Sequence, residues 1–265
     1  MHATTLRVAG GLDKTVVELA DSHTHLDLIN DASIVSDAVK FGVSTIITDG
    51  VDTRSNARAL ELSDGKHVFA ALGVDPQHAV GMGPDELAFN IGIIHGNASR
   101  IVAIGEIGLE YVPPSSPAAI KKQKAVFTRF IELAMRLGLP VSVHARGAIS
   151  DVIAILEESG MQKVHLHFFE GDVIQARAAE RLGFMISIPP LESNKRKRVM
   201  RDVSLDRLMA ETDSPVVGKT PRDVERSIRL IAEAKGLSFE KVAEAVTANT
   251  KKFFNIHGEK GFMRY

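Results

Sequence analysis

Cysteine is absent from the 265 residues of the sequence. Disulfide bonds, thiolate metal ligands and a cysteine nucleophile are therefore excluded, and any bound metal must be held by nitrogen and oxygen atoms. The sequence also lacks glycine-rich phosphate loops and a G-x-S-x-G elbow, so neither a nucleotide cofactor nor a serine nucleophile is indicated. Tryptophan is absent and tyrosine occurs only twice, so aromatic platforms for nucleic-acid bases are few.

The chain has almost no net charge and no long apolar run. The formal net charge is −1, whereas a protein that coats nucleic acid usually carries a basic excess, so any contact with nucleic acid must be local. The amino-terminal segment lacks the basic and apolar regions of a secretory signal, and no stretch approaches the roughly 18 apolar residues of a membrane span. We therefore expect a soluble, cytoplasmic, monomeric protein that needs no obligate protein partner and does not contact membranes.

Short apolar runs rich in β-branched residues alternate with longer amphipathic segments, which is the pattern of βα units. Eight runs are candidate strands, the number that closes a barrel: residues 16–22, 44–48, 67–74, 101–106, 140–144, 164–168, 184–188 and 208–212. Five segments have apolar residues at helical spacing: 32–41, 118–137, 151–158, 173–182 and 222–234. We predict an α/β fold, a (β/α)8 TIM barrel in a single domain at 16–257, with an extension at 1–15 and a tail at 258–265.

Six histidine and acidic side chains stand at the ends of candidate strands: His23, His25, Glu106, His144, His167 and Asp213. Catalytic residues of (β/α)8 barrels lie at these carboxyl ends. Because side chains alternate along a strand, His23 and His25 point the same way and can clamp one metal. Any one of the six taken singly is as often an ordinary polar residue, but together they favour a site for two divalent ions, zinc, magnesium or manganese.

This set of side chains predicts metal-dependent hydrolysis. The two carboxylate oxygens of Glu106 can bridge two cations, while His144 and His167 ligate the second. Asp213 can hold one metal and also take the proton of a bridging water as that water attacks, so it is the first choice for the general base. We expect Asp213 and Glu106 to be the catalytic carboxylates.

Six segments of the chain, in order and with similar spacing, resemble the motifs of the TatD family of metal-dependent deoxyribonucleases, within the amidohydrolase superfamily. They are DSHTHLD, GEIGLEY, LGLPVSVHAR, HFFEG, GFMISI and AETDSP. The resemblance implies a (β/α)8 barrel with two divalent metals and hydrolysis of DNA phosphodiester bonds, often as an exonuclease. It also implies one metal on His23, His25 and Asp213, the other on His144 and His167, and Glu106 between them.

The sequence departs from the family pattern in three places. The stretch GVDPQ stands where the family commonly has Gly-x-His-Pro-His, Glu110 replaces a common aspartate, and VVGKTPRDVERS only loosely resembles an Asn/Arg-rich segment. His78, one position beyond the missing histidines, is a candidate replacement, with a solvated loop histidine as the alternative. We expect the substrate to contact Asp75, His78, Glu110 and Arg146, the last through a phosphate, with a surface salt bridge as the alternative for Arg146.

Three further polar residues lie two positions before ligand candidates, so they face inward one layer deeper in the barrel: Asp21, His165 and Glu211. Charged groups there must be paired, and we expect them to orient the ligand imidazoles or one another. The alternative for His165 is a neutral core histidine.

Two surface features bear on nucleic-acid binding. The basic run KRKR at 195–198 can attract phosphates, although such a run is more often the solvated face of a helix. Phe168, Phe169 and Tyr111 are candidates for stacking on bases, with packing at the rim as the alternative.

Two other functions stay open. An amidohydrolase-type enzyme with the same metals would cleave a small-molecule amide, lactone or phosphoester. Related two-metal barrels often bridge with a carboxylated lysine where Glu106 stands, which favours DNA as the substrate. A barrel that binds metal or ligand without turnover is the third hypothesis, and the presence of Asp213 speaks against it.

Overall fold

The computed structural model describes residues 17–112 and 115–256, so the predicted extension at 1–15 and tail at 258–265 lie outside the described residues. Eight parallel strands form one sheet in which each strand pairs with the next along the chain. They are β1 (Leu19–Thr24), β2 (Val43–Asp49), β3 (Val68–Leu72), β4 (Ile101–Glu110), β5 (Val141–Arg146), β6 (Val164–Leu166), β7 (Met185–Ile188) and β8 (Leu208–Ala210). The eight predicted strands and the (β/α)8 barrel are confirmed.

The barrel closes between β1 and the segment that follows β8. The backbone N–H of Asp213 donates to the carbonyl oxygen of His23 at 3.0 Å, and the N–H of His25 donates to the carbonyl oxygen of Ser214 at 2.8 Å. Closure therefore uses the backbone of predicted metal ligands, so the geometry of the barrel seam also sets their positions.

The strand ends differ from the prediction at three ligand positions. Strand β4 continues to Glu110, because its last residues pair with the extended end of β5, and Glu106 therefore lies inside the strand at a register shift. Gly108 makes this pairing possible: its φ is 147°, and a Cβ there would overlap the carbonyl oxygen of His144. Strands β6 and β8 are shorter than predicted, so His167 and Asp213 lie just beyond them.

Ten α-helices surround the barrel in the part of the chain that the structure describes. They are α1 (Ile34–Phe41), α2 (Thr53–Leu62), α3 (Pro76–Gly81), α4 (Pro84–Gly96), α5 (Pro117–Leu137), α6 (Ile149–Ser159), α7 (Val173–Arg181), α8 (Asn194–Asp202), α9 (Val224–Lys235) and α10 (Phe239–Phe253). The five predicted helices are confirmed as α1, α5, α6, α7 and α9. None of the helices in the described ranges is both long and apolar enough to cross a bilayer.

Helix α10 was not predicted from the sequence, although it closes the bottom of the barrel. Phe254 directly follows it, is 1% exposed, and packs inside the barrel with Ile47, Phe69 and Met209. Its ring also lies 5.9 Å, centroid to centroid, from the ring of His165. The interior is therefore apolar below and polar above, which places the polar site at the carboxyl ends of the strands.

A buried asparagine fixes α2 to the loop after β3. Asn56 is fully buried, its Nδ2 donates to the carbonyl oxygen of Gly73 at 2.8 Å, and its Oδ1 accepts the N–H of Gly73 at 3.0 Å. A polar side chain in this position satisfies both backbone groups of a residue that has no strand partner of its own.

We predict that Asn56→Ala lowers the free energy of unfolding by about 2–4 kcal/mol, because two buried backbone groups of Gly73 lose their partners. Urea denaturation of the purified variant measures the change. Arg58→Ala, an exposed position on the same helix, is the matched control and should stay within about 0.5 kcal/mol of wild type. Equal stability of the two variants would show that the asparagine does not hold this loop.

Candidate metal centre

The first group of candidate ligands lies where the end of β1 meets the segment that follows β8 and closes the barrel. The Nε2 atoms of His23 and His25 lie 3.3 Å apart, and each lies 3.4 Å from Oε2 of Glu106. Oδ1 of Asp213 is 3.8 Å from Nε2 of His23 and 3.4 Å from Nε2 of His25. Two nitrogens and two carboxylate oxygens therefore converge on one point.

The second group uses the other oxygen of the same glutamate. Oε1 of Glu106 lies 2.9 Å from Nδ1 of His144 and 3.2 Å from Nε2 of His167, and these two nitrogens are 3.2 Å apart. The structure thus brings all six predicted residues together, with one oxygen of Glu106 in each group.

The spacing of the donor atoms fits divalent metals. Bonds of about 2.0–2.1 Å in a tetrahedral zinc site place the ligand atoms about 3.3–3.4 Å apart. The separations of 3.3–3.4 Å among His23, His25 and Glu106 match this edge, and 3.2 Å between His144 and His167 is close to it. Nitrogen and carboxylate oxygen suit zinc or manganese. The role of these residues as ligands remains a prediction that their geometry supports.

Asp49, which the sequence analysis missed, orients the first pair of imidazoles. Its Oδ2 lies 3.2 Å from Nδ1 of His23, and its backbone carbonyl oxygen accepts a hydrogen bond from Nδ1 of His25 at 3.1 Å. The hydrogen bond to the carbonyl oxygen places the ring proton of His25 on Nδ1. The carboxylate of Asp49 lies on the Nδ1 side of His23, so the Nε2 atoms of both rings are directed toward the candidate metal position. The available signal was an acidic residue at the end of β2, on the same inward face as Ile47.

Glu110 performs the same task for the second group. Its Oε2 lies 3.1 Å from Nε2 of His144, and the carboxylate accepts hydrogen bonds from Nε2 of Gln77 at 3.1 and 3.2 Å. Arg146 is half exposed, with Nη1 3.9 Å from Oε1 of Glu110. Glu110 lines the cavity, where the sequence predicts a substrate contact, and its carboxylate also contacts a candidate metal ligand.

Asp21 and Glu211 fix the backbone around the ligands rather than the imidazoles themselves. Asp21 accepts hydrogen bonds from the N–H of Thr212 at 2.8 Å and from its hydroxyl at 2.5 Å, one residue before Asp213. Glu211 accepts the N–H of Phe168 at 2.6 Å and the hydroxyl of Ser187 at 2.6 Å. Burial raises the pKa of Asp21 well above its usual range and that of Glu211 to about 8.

His165 matches the alternative interpretation of a neutral core histidine. It is fully buried, with Nε2 2.8 Å from the hydroxyl of Ser187 and Nδ1 3.3 Å from that of Ser142. Burial holds its pKa well below the usual range, and the imidazoles of His23 and His167 lower it further. Its hydrogen-bond partners are therefore serines, and Ser187 links it to Glu211.

Charge in the two groups is strongly coupled. Burial alone would raise the pKa of Glu106, but His167 and His144 hold it well below the usual range of a carboxyl. Burial would lower the pKa of His144, whereas Glu106 and Glu110 raise it to about 10. Burial alone would also lower the pKa of His23, but Asp49 and Glu106 raise it. Protons on the imidazoles thus balance the carboxylates of the metal-free protein.

A cavity of about 480 Å³ opens above the two groups. Its wall is acidic, with one arginine and an apolar rim, and is lined by Leu28, Asp75, Gln77, Glu110, Arg146, Phe168, Glu170 and Val216 together with metal-ligand candidates. The volume lies in the range of small-molecule sites. Arg146 and Asp75 are therefore placed where the sequence predicts contact with substrate.

His78 is placed differently from the prediction. Asp75 is the N-cap of α3 and accepts the N–H of His78 at 2.8 Å, and its Oδ1 lies 2.7 Å from Nδ1 of the same residue. The imidazole therefore turns back onto the cap of its own helix, with Nε2 3.7 Å from Asp52, and His78 is not among the described residues that line the cavity. The imidazole of His78 therefore contacts Asp75, and its role as a substrate contact remains a prediction.

The candidates for base stacking separate in the structure. Phe169 is 2% exposed in the core, and the Tyr111 hydroxyl donates to Asp151 at 2.8 Å outside the main cavity, so neither reaches the metal-ligand groups. Phe168 lines the cavity. The basic run lies mostly on the exposed face of α8, where Lys197 pairs with Glu233.

Comparison with known proteins identifies the family. The sequence profile described as TatD related DNase matches residues 20–255. The human deoxyribonuclease TATDN3 is 33% identical over 262 residues, which cover 90% of this chain and 95% of that protein. The chain belongs to the TatD family. A Bacillus subtilis (strain 168) member named uncharacterized metal-dependent hydrolase YabD is also 33% identical, over 90% of this chain and 100% of that protein.

The fold of this TatD-family protein agrees with that of solved relatives. The crystal structure of YJJV, a TatD homologue from Escherichia coli K12, superposes with a TM-score of 0.84 at 23% identity and covers 91% of this chain and 100% of that one. As a TatD-family protein with two groups of candidate ligands, the chain is a metal-dependent hydrolase.

We predict that a divalent ion displaces protons from the TatD-family site. Because carboxylates keep the pKa of His23 and His144 raised, both rings are protonated at neutral pH without metal and must lose a proton to bind it. Affinity for Zn²⁺ or Mn²⁺ should rise between about pH 6 and about pH 9, with proton release at about pH 7. Isothermal titration in buffers of different ionisation enthalpy counts these protons. Affinity that is constant over this range, without proton release, would contradict the charge balance.

Proposed function

We propose that this protein is a two-metal phosphodiesterase that hydrolyses DNA. The observation that carries the proposal is the position of Glu106, whose Oε2 faces His23 and His25 while its Oε1 faces His144 and His167. A carboxylate between two groups of ligands is the arrangement required for a pair of cations about 3.5–4 Å apart. DNA is supported as the substrate by the name of the human relative, a deoxyribonuclease.

Each residue of the site has a separate role in the proposed reaction. His23, His25 and Asp213 would hold one ion, His144 and His167 the other, and Glu106 both. When bound, the ions polarise the phosphate, make water a stronger nucleophile at neutral pH and stabilise charge on the attacking and leaving oxygens. The low pKa of Glu106 keeps its carboxylate ionised for this purpose.

Asp213 is the proposed acceptor of the proton from the attacking water. It stands at the floor of the cavity, and its Oδ1 lies next to both imidazoles of the first group. Its carboxylate is therefore beside the place where water would be activated, and no other described group in the first ligand set has a free oxygen, because Glu106 directs one oxygen to each group.

Arg146 is the proposed contact to the phosphate. Among the described residues that line the cavity it is the one arginine or lysine, whereas Asp75, Glu106, Glu110, Glu170 and Asp213 contribute five carboxylates. A phosphodiester would be repelled by this wall unless metal ions offset its charge. The guanidinium at the half-exposed mouth can then fork onto the non-bridging oxygens.

A second candidate keeps the metals and changes the substrate. Asp75 and Gln77 line the cavity where the family pattern has two histidines, and a carboxylate there is a poor partner for a phosphate. This observation favours a small-molecule amide, lactone or phosphoester as the substrate. If the protein does not cleave DNA, this second function replaces the proposed one.

We predict that Asp213→Asn lowers kcat on end-labelled single-stranded DNA by about 10²–10⁴-fold, because the water loses its proton acceptor. The assay uses pure protein with Mn²⁺, and EDTA should abolish cleavage by wild type. Asp206→Asn, an exposed position far from the ligands, is the matched control.

Metal content must be measured beside the rate, since asparagine retains an oxygen that can ligate. A variant that holds as much metal as wild type but cleaves at the wild-type rate would exclude Asp213 as the base. Absence of cleavage by metal-loaded wild type would exclude DNA and favour the small-molecule substrate.

A further inference from the structure

Phe168 is an aromatic side chain at the wall of the metal site that the proposed chemistry does not use. It directly follows His167, a candidate ligand, and lines the same cavity as Arg146 and Asp213. Of the described residues that line this cavity, it is the one phenylalanine or tyrosine. Phe168 is therefore the aromatic side chain of this wall on which a planar group attached to a phosphate could stack.

The backbone holds Phe168 in an unusual conformation. Its φ is 45°, in the left-handed region that residues other than glycine rarely adopt. The buried carboxylate of Glu211 accepts its N–H at 2.6 Å, and Glu211 is in turn fixed by the hydroxyl of Ser187. The surrounding structure thus imposes this conformation, and Phe169, the next residue, points into the core instead.

A guanidinium contacts the ring of Phe168. The Cζ atom of Arg196, in α8, lies 5.5 Å from the ring centroid of Phe168, within the distance of a cation–π contact. Nη1 of Arg196 donates to the carbonyl oxygen of Leu191 at 2.9 Å, which fixes the guanidinium. Phe168 lines the cavity and Arg196 is not among the described residues that line it, so the arginine contacts the ring from outside the cavity lining.

We propose that Phe168 is the platform on which a nucleobase of the substrate stacks beside the scissile phosphate, and that Arg196 holds this platform in place. The inference rests on the proposed phosphodiesterase function and adds a contact that selects nucleotides over simple phosphate esters. Stacking does not depend on the identity of the base, because every base presents a flat face. The substrate class is thus a single-stranded end whose bases are unpaired.

The rest of the cavity wall agrees with a base in this position. Leu28 and Val216 are 60% and 64% exposed, respectively, and line the same cavity, so they offer apolar surface to the edge of a ring. Arg146 and the candidate ligands contribute polar groups to the same wall. The cavity therefore offers polar groups for the phosphate and apolar side chains for the base.

The test compares single-stranded oligonucleotides that differ at one residue. The terminal nucleotide is abasic in the first oligonucleotide, the penultimate nucleotide is abasic in the second, and the third oligonucleotide is intact. Wild type should lose about 5- to 150-fold in kcat/KM on one of the two abasic substrates, the range expected for one stacked base. Phe168→Leu, which keeps an apolar side chain, should cleave this abasic substrate and the intact one at nearly equal rates. Phe168→Trp should retain the preference for the intact substrate.

Arg196→Met tests the support, with Arg198→Met as the matched control on the same helix. Arg196→Met should reduce the preference for the intact substrate, whereas Arg198→Met should leave it at the wild-type ratio. The proposal is overturned if Phe168→Leu prefers the intact substrate as strongly as wild type does, whether its rates fall equally on all substrates or do not fall.

A binding measurement separates this proposal from the function on which it rests. Titration with deoxyadenosine 5′-monophosphate and with deoxyribose 5-phosphate, both with Mn²⁺, needs no turnover. If wild type cleaves no DNA, the proposed function fails, yet tighter binding of the nucleotide that Phe168→Leu abolishes would still support the platform. Equal affinity of wild type for the two compounds would overturn it.

Discussion

Glu106 is a buried carboxylate between four imidazoles, and the arrangement of the site follows from it. Its two oxygens face different pairs of nitrogens at 2.9–3.4 Å, so neither pair can be moved without changing the other. A single buried charge of this kind is stable only with partners, which are protons on imidazoles in the metal-free protein and cations when metal is bound. The same carboxylate thus couples the protonation of the site to its occupancy.

Around this carboxylate, the barrel supplies acceptors that fix each ligand. Asp49 contacts His23 through its side chain and His25 through its backbone, and Glu110 contacts His144. These contacts orient each ring, so that its other nitrogen faces the candidate metal position. Below them, Phe254 and its apolar neighbours fill the barrel, which keeps the polar groups at one end.

The sequence predicted the six ligand candidates and the barrel because both depend on local periodicity: apolar strands end in polar residues, and parallel strands bring those ends together. It did not predict α10, whose role depends on packing of Phe254 across the barrel. Asp49 was missed because one acidic residue at a strand end carries no spacing signal. Its role depends on a contact with β1, which the sequence does not show. The contact of His78 with Asp75 was not predicted, because sequence position does not show that Asp75 caps the same helix.

Crystallography of Zn²⁺-loaded protein would show whether Glu106 joins two metal sites. We expect two anomalous peaks about 3.5–4 Å apart, one on each side of the Glu106 carboxylate, the first beside His23 and His25 and the second beside His144 and His167. A single peak, or two peaks of which only one contacts Glu106, would contradict this expectation.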